Sequence, residues 1–206
     1  LVVMSLYHLY AAVEIVGAQM LRPVHVGFVL VLVFLLFPVA KRYRNRLMWW
    51  DVVGALLGLA TIAYLLAGGD DVWDRNVTPT ASDTFFGVAF VLCVLEACRR
   101  TSGWILTAVV LAFVAYAFAG PWLPGQWAHR GYDVASLAGF LYQTLEGIFG
   151  TAVDVSSSLI ILFTIYGAFL QHSGAGKFFL DWSFAAMGGK HSSAARTVGL
   201  ASFLLG

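Results

Sequence analysis

Apolar stretches, each close to the length of a bilayer crossing, follow one another along most of the chain. A helix needs about 20 predominantly apolar residues to cross the hydrocarbon core of a membrane. Six segments approach that length, and we predict a membrane-spanning helix in each: residues 1–17, 21–40, 47–67, 82–98, 103–119 and 155–172. The pattern therefore predicts an all-α, polytopic integral membrane protein.

Two further stretches have the pattern of amphipathic helices. Residues 134–149 follow Asp133, a favourable N-cap residue, and carry polar side chains along one stripe. Residues 177–188 place Lys177 and Asp181 one helical turn apart. Helices of this kind lie in the membrane interface rather than crossing the bilayer. We therefore predict two interfacial amphipathic helices beside about six transmembrane helices.

The composition excludes a water-soluble globule. Of the 206 residues, 60% are hydrophobic and only 11% are charged, and the mean hydropathy is +0.83. Soluble domains carry about 25% charged residues, so this chain has too few charges to cover a surface that faces water. The net charge of +1 gives no basic patch of the kind that nucleic acids require, so we expect no nucleic-acid partner.

The positions of the charges predict how the chain threads through the membrane. Most basic residues lie in three connections, at residues 41–46, 99–100 and 177–196. The alternate connections are mainly acidic, at residues 70–83 and 133–154. The two sets fall on opposite sides only if residues 134–149 do not cross the membrane. Because basic loops stay in the cytoplasm, we expect loops 41–46 and 99–100 to be cytoplasmic.

Acidic residues within the spans mark functional sites unless a structural role explains them. Glu96 has such a role, because Arg99 and Arg100 follow at positions i+3 and i+4 and predict an ion pair at the helix end. Asp51 lies near the start of its helix, where a carboxylate suits the helix dipole.

Three residues near the last span are candidates for a path through the membrane. Glu146 precedes a backbone break at residues 147–150, and irregular backbone at membrane depth lies only where protein buries it or where it lines a cavity. For Glu146 the favoured interpretation is packing at a helix end, and a place near the path is the alternative. Ser156 and Ser158 belong to a serine triplet that either caps the last span, the favoured reading, or bonds a neighbouring helix.

One acidic loop raises the alternative of a membrane enzyme. Residues 70–74 read Asp-Asp-Val-Trp-Asp, the spacing by which membrane prenyltransferases hold magnesium and a diphosphate. Oxygen-rich clusters of this kind suit magnesium, but the second acidic motif of such enzymes is absent. We favour a solvated loop over an enzyme acting on lipid-linked diphosphates through Asp70, Asp71 and Asp74. No catalytic, metal or cofactor site is predicted.

A set of short motifs, in order along the chain, carries a family resemblance. They are Leu-Tyr-His-Leu-Tyr-Ala-Ala at 6–12, Arg-Pro-Val-His at 22–25, Leu-Glu-Ala-Cys-Arg-Arg at 95–100, Ala-His-Arg-Gly-Tyr at 128–132, Glu-Gly-Ile-Phe-Gly at 146–150, and the segment 167–176. With these motifs the chain resembles the fused permeases of tripartite ATP-independent periplasmic (TRAP) transporters of the TAXI type, in which the small and large membrane subunits form one polypeptide.

The resemblance implies a function and a division of the chain. It implies a multi-pass permease of the bacterial inner membrane that uses a sodium gradient to import an organic anion, usually a carboxylate, delivered by a periplasmic binding protein. Residues 1–100 would match a four-helix small subunit with a truncated first helix. Residues 101–133 would form a connecting helix and periplasmic loop, and residues 134–206 would begin the large subunit.

The resemblance also implies what this segment contributes. The family's substrate and sodium groups sit at helical hairpins expected beyond Gly206, so these residues are mainly scaffold. Besides the binding protein, the partners are the lipid bilayer and the remaining part of the same permease, and Na⁺ is the coupling ion with no other cofactor. Residues 151–154 depart from the family pattern, and the role of Asp154 is left open. A non-transporting accessory or assembly subunit is a further alternative.

Overall fold

The computed structural model describes residues 1–39, 48–187, 199, 202 and 203, and within those residues the regular structure is helical without strands. The helices are α1 (Val2–Val13), α2 (Ala18–Leu36), α3 (Trp49–Ala67), α4 (Gly69–Asp74), α5 (Ala81–Ser102), α6 (Trp104–Ala119), α7 (Val134–Tyr142), α8 (Thr151–Val155), α9 (Ile161–His172) and α10 (Ala175–Met187). The predicted all-α fold is confirmed. The chain forms two compact units, residues 1–158 and residues 159–206.

Five segments of the described chain are long and apolar enough to cross a membrane. They are Ala18–Leu36, Trp49–Ala67, Ala81–Ser102, Trp104–Trp122 and Thr151–His172, which correspond to the predicted second to sixth spans. The predicted first span, residues 1–17, differs from the structure. Helix α1 has only 12 residues, which give about 18 Å of helix. The helix ends early because the backbone becomes extended at Glu14, and Gly17 is already the N-cap of α2.

Helix α7 begins as predicted but is shorter than residues 134–149. The Asp133 carboxylate accepts the backbone N–H of Ser136 at 3.4 Å and caps the helix. After Tyr142 the chain turns, because the Thr144 hydroxyl donates to the carbonyl of Phe140 at 2.7 Å and accepts the N–H of Gly147 at 3.0 Å. Nine helical residues reach about 14 Å, which is too short to cross a bilayer.

The second amphipathic helix and the last part of the chain belong to the second unit. Helix α10 covers Ala175–Met187, which agrees with the predicted helix at residues 177–188. Within this unit α10 packs against α9. The predicted basic loop 41–46 and most of the chain after residue 187 lie outside the described residues.

The core of the first unit lies where α2, α3, α5 and α7 meet. Leu30, Ile62, Phe90 and Tyr142 are almost completely buried there. Helix α7 approaches so closely that a Cβ atom added at Gly87 of α5 would lie 3.1 Å from the Ala138 Cβ atom. This close packing fixes α7 and the turn that follows it against the long helices.

An ion-pair cluster joins the start of α3 to the end of α5. The Arg100 guanidinium bonds Asp51 at 2.6 Å and Glu96 at 2.8 Å, and Arg99 bonds Glu96 at 2.7 Å. The predicted pairing of Glu96 is therefore confirmed. Asp51 also accepts the N–H of Met48 at 3.1 Å at the start of α3, as its predicted position suggested.

A second cluster joins the opposite ends of α3 and α5. The buried Asp83 carboxylate accepts hydrogen bonds from the Tyr64 hydroxyl at 2.7 Å, the Arg75 guanidinium at 3.1 Å and the Thr80 N–H at 2.9 Å. Its partners hold the end of α3, the loop and the start of α5 together. The two clusters thus tie α3 and α5 together at both of their ends.

Candidate functional site

A buried polar layer links α1, α2 and the segment that begins with α8. His8 and His25 are 1% and 4% exposed, and the Nε2 atom of His8 lies 2.9 Å from the Nδ1 atom of His25. The other nitrogens also have partners: His8 Nδ1 is 2.7 Å from the carbonyl of Met4, and His25 Nε2 is 3.1 Å from the Ser156 hydroxyl. The layer therefore forms one continuous chain of hydrogen bonds.

The direction of these hydrogen bonds follows from the carbonyl at one end. The Met4 carbonyl only accepts, so His8 carries its proton on Nδ1 and presents Nε2 as an acceptor. His25 must then donate from Nδ1, and its Nε2 accepts the Ser156 proton. With both rings neutral, this geometry allows a single arrangement of tautomers.

An ion pair lies beside this layer and joins the same two parts of the chain. The Arg22 side chain bonds the Asp154 carboxylate at 2.9 Å and the carbonyl of Phe149 at 3.0 Å. The Arg22 side chain is 15% exposed and the Asp154 side chain 45%. Asp154, whose role the sequence left open, thus forms a contact between α8 and α2.

A π-helical turn at Ser156–Ile160 sets the position of the Ser156 hydroxyl. The side chains of Ser157 and Ser158 donate to the carbonyl of Asp154 at 3.1 and 2.7 Å. Such bonds from a serine to the preceding turn bend helices, and π turns are frequent at functional sites. The π turn begins at Ser156, the residue whose hydroxyl contacts His25.

The three predicted site residues have different surroundings. Ser156 belongs to the polar layer, whereas Ser158 supports the π turn. The favoured prediction that the serines cap the last span is wrong, because the helix already begins at Thr151; Ser156 instead bonds a neighbouring helix. Glu146 lies exposed on the turn after α7, and no ion pair involves it among the described residues.

The acidic loop does not form a metal site in the described chain. Asp70, Asp71 and Asp74 are exposed on and beside the short helix α4, whose Val72 and Trp73 point into the core. Within residues 1–39 and 48–187, no group of three His, Cys, Asp or Glu side chains is placed to hold a metal ion. The loop has the solvated character that the sequence favoured.

The polar layer serves as a connection between helical segments. With both rings neutral, each ring nitrogen of His8 and His25 has a hydrogen-bond partner. The layer therefore holds the three helical segments together.

The residues of the layer were only partly visible in the sequence. His8, His25 and Arg22 lie within motifs that carry the family resemblance, but their spacing gave no sign that they contact one another. Two histidines and an arginine inside apolar segments are themselves a signal, because unpaired polar groups are costly in lipid. That signal predicts partners without naming them, since Arg22 and Asp154 are 132 positions apart.

Comparison with models of protein families shows the family of the chain. Residues 89–206, more than half of it, match the DctM component of the tripartite ATP-independent periplasmic transporter. The chain belongs to this family. Comparisons with the curated proteins and with the solved structures gave no match. The TRAP resemblance is therefore confirmed at the level of the family, and the chain is a multi-pass membrane component of a TRAP transporter.

The contacts of the polar layer cross the boundary of the DctM match. The match begins within α5 and contains Asp154 and Ser156. Their partners Arg22 and His25 precede it, on α2. The hydrogen bonds and the ion pair thus tie helices outside the DctM-like region to a helix inside it.

Proposed function

We propose that the protein is the permease of a tripartite transporter that imports an organic anion, usually a carboxylate, delivered by a periplasmic binding protein. The observation that carries this proposal is the DctM match over residues 89–206. The family's tripartite organisation supports a binding protein as partner, and the five apolar spans support transport across a membrane.

The fused TAXI arrangement is part of the same proposal. Residues 1–100 correspond to the small membrane subunit, residues 101–133 to the connecting helix and its loop, and residues 134–206 to the start of the large subunit. The contacts of Arg22 with Asp154 and of His25 with Ser156 favour this arrangement, because they join the two parts directly. In this scheme the described helices are scaffold, and they contribute no catalytic group.

Energy coupling and orientation complete the proposal. A sodium gradient drives uptake, with Na⁺ as the coupling ion, and the protein resides in the bacterial inner membrane with loops 41–46 and 99–100 in the cytoplasm. The Lys and Arg residues of these two loops support this threading, because basic loops stay in the cytoplasm. Among the candidate residues, Ser156 and Ser158 lie beside the scaffold contact and Glu146 on the exposed turn that precedes it.

Uptake by the complete transporter in proteoliposomes tests the proposal. We expect accumulation of a labelled carboxylate to require both an inward sodium gradient and the binding protein. Replacing sodium by choline, or omitting the binding protein, should reduce uptake to the level of empty vesicles. Uptake that persists without either component would contradict the proposed function.

A paired substitution in the acidic loop serves as the matched control. Asp70→Ala with Asp71→Ala removes two exposed carboxylates that lie outside the ion-pair clusters, so uptake should stay within about twofold of the unchanged protein, as for most surface substitutions. An enzyme acting on diphosphates through this loop would lose its activity. A dead double variant would therefore favour the enzyme over the permease.

A further inference from the structure

An apolar groove runs along the outside of the first unit between α6 and α7. Both helices pack on α5, and the groove between them has a volume of about 240 Å³. Its walls are formed by aliphatic and aromatic side chains of all three helices, among them Leu92, Leu95, Leu111, Phe118, Leu137 and Leu141. Because α5 and α6 are membrane spans, a groove of this composition opens toward lipid tails.

The first turn of α7 connects this groove to a polar pocket. Val134 and Leu137 line the groove, while their chain neighbours Asp133 and Ser136 line a second cavity of about 270 Å³ together with Arg130. An elongated molecule with an apolar tail and a polar head therefore finds both environments next to each other.

The loop that carries Arg130 is fixed by its own hydrogen bonds. The His129 ring donates from Nε2 to the carbonyl of Tyr116 at 3.1 Å and accepts the N–H of Gly131 at 3.1 Å. The N–H of Tyr132 donates to the carbonyl of Ala117 at 3.1 Å. Arg130 thus projects from a segment held against the end of α6, and the pocket is a built feature of the fold.

The pocket presents two opposite charges that do not neutralise each other. Arg130 is exposed and makes no ion pair within the described chain. Asp133 lies in the same pocket. Hydrogen bonds from the side chain of Ser136 and from its backbone N–H lower the pKa of the Asp133 carboxyl. A headgroup that offers an anion to Arg130 and a cation to Asp133 would satisfy both residues.

Exposed aromatic residues place the pocket at the level of lipid headgroups. Trp122, Trp127 and Tyr132 are 84%, 60% and 58% exposed on the same loop. Tryptophan and tyrosine concentrate at membrane interfaces, where their rings meet both the headgroups and the tails. The groove therefore extends from the interface into the hydrocarbon region.

We propose that this groove and pocket bind one phospholipid with a zwitterionic amine headgroup, its phosphate on Arg130, its ammonium on Asp133 and an acyl chain between α6 and α7. Arg130 and Asp133 together select a zwitterionic lipid over an anionic one, because the Asp133 carboxylate repels a negatively charged headgroup. The site goes beyond the transported solute, and its test does not depend on uptake.

Native mass spectrometry of the detergent-purified protein, titrated with phosphatidylethanolamine or phosphatidylglycerol, tests this site. We expect phosphatidylethanolamine to bind about tenfold more tightly, the effect of one charged hydrogen bond. Arg130→Gln should weaken both lipids. Asp133→Asn, which keeps a helix-capping side chain, should remove the preference but not the binding.

The apolar half of the site has its own variant and control. Leu137→Trp should fill the groove and weaken both lipids about tenfold or more, whereas the same change at exposed Leu56 of α3 should leave lipid binding unchanged. Equal affinity for the two lipids in the unchanged protein would overturn the proposal. So would undiminished binding to Leu137→Trp, or a second protein chain cross-linked within the groove in place of lipid.

Discussion

Replacing Arg100 by alanine should lower the free energy of unfolding by about 3–5 kcal/mol, the largest single effect we expect in this chain. The side chains of Arg100 and Asp51 are only 3% and 5% exposed. Without the guanidinium, the Asp51 carboxylate would remain buried and without its opposite charge. Thermal unfolding of the purified protein in detergent measures the loss.

Arg99→Ala is the matched control for this prediction. It removes the same charge one position earlier, but Glu96 keeps its bond to Arg100 at 2.8 Å, and the Arg99 side chain is 17% exposed. We expect a loss of about 1 kcal/mol, as for partly exposed ion pairs. Equal losses for the two arginines would contradict the assignment of Arg100 as the central cation of the cluster.

Replacing His25 by alanine should cost about 3 kcal/mol of stability. The change leaves the His8 Nε2 atom and the Ser156 hydroxyl without their partners, and an unsatisfied buried polar group costs about 1–3 kcal/mol. Ser156→Ala breaks only one of these bonds and should cost less. His172→Ala, at the exposed end of α9, is the matched control and should change the unfolding temperature little.

The same layer has a spectroscopic signature that packing alone would not produce. Nitrogen chemical shifts of the neutral rings should place the proton on Nδ1 in both His8 and His25. A neutral His25 protonated on Nε2 would contradict the hydrogen-bond directions derived from the Met4 carbonyl.

Local patterns predicted most of the helices because each depends on nearby residues. Helix α3 follows from its apolar run and the start of α7 from the cap at Asp133. The ion pairs of Glu96 were equally predictable, since they lie one helical turn away on the same helix.

Long-range contacts were beyond the reach of these patterns. The bond between Arg100 and Asp51 and the bond between His25 and Ser156 join different helices, and their geometry follows from helix packing rather than from spacing. The predicted end of α7, at residue 149, lies beyond its observed end at Tyr142 for a related reason. The Thr144 hydroxyl redirects the backbone, and Gln143 bonds the carbonyl of Val72 from its buried position.

The central claim is that the helices before the DctM match and the helix at Thr151–His172 are joined by contacts between specific residues. An exchange of charges tests it most directly: Arg22→Asp, Asp154→Arg and the double variant, compared by unfolding temperature and by uptake in the complete transporter. The account predicts that each single change lowers both values and that the double variant recovers most of the loss. The combination of Arg22→Asp with Asp71→Arg has the same net charge and serves as the control. Recovery with this control pair would contradict the account, and so would a double exchange that is worse than either single change.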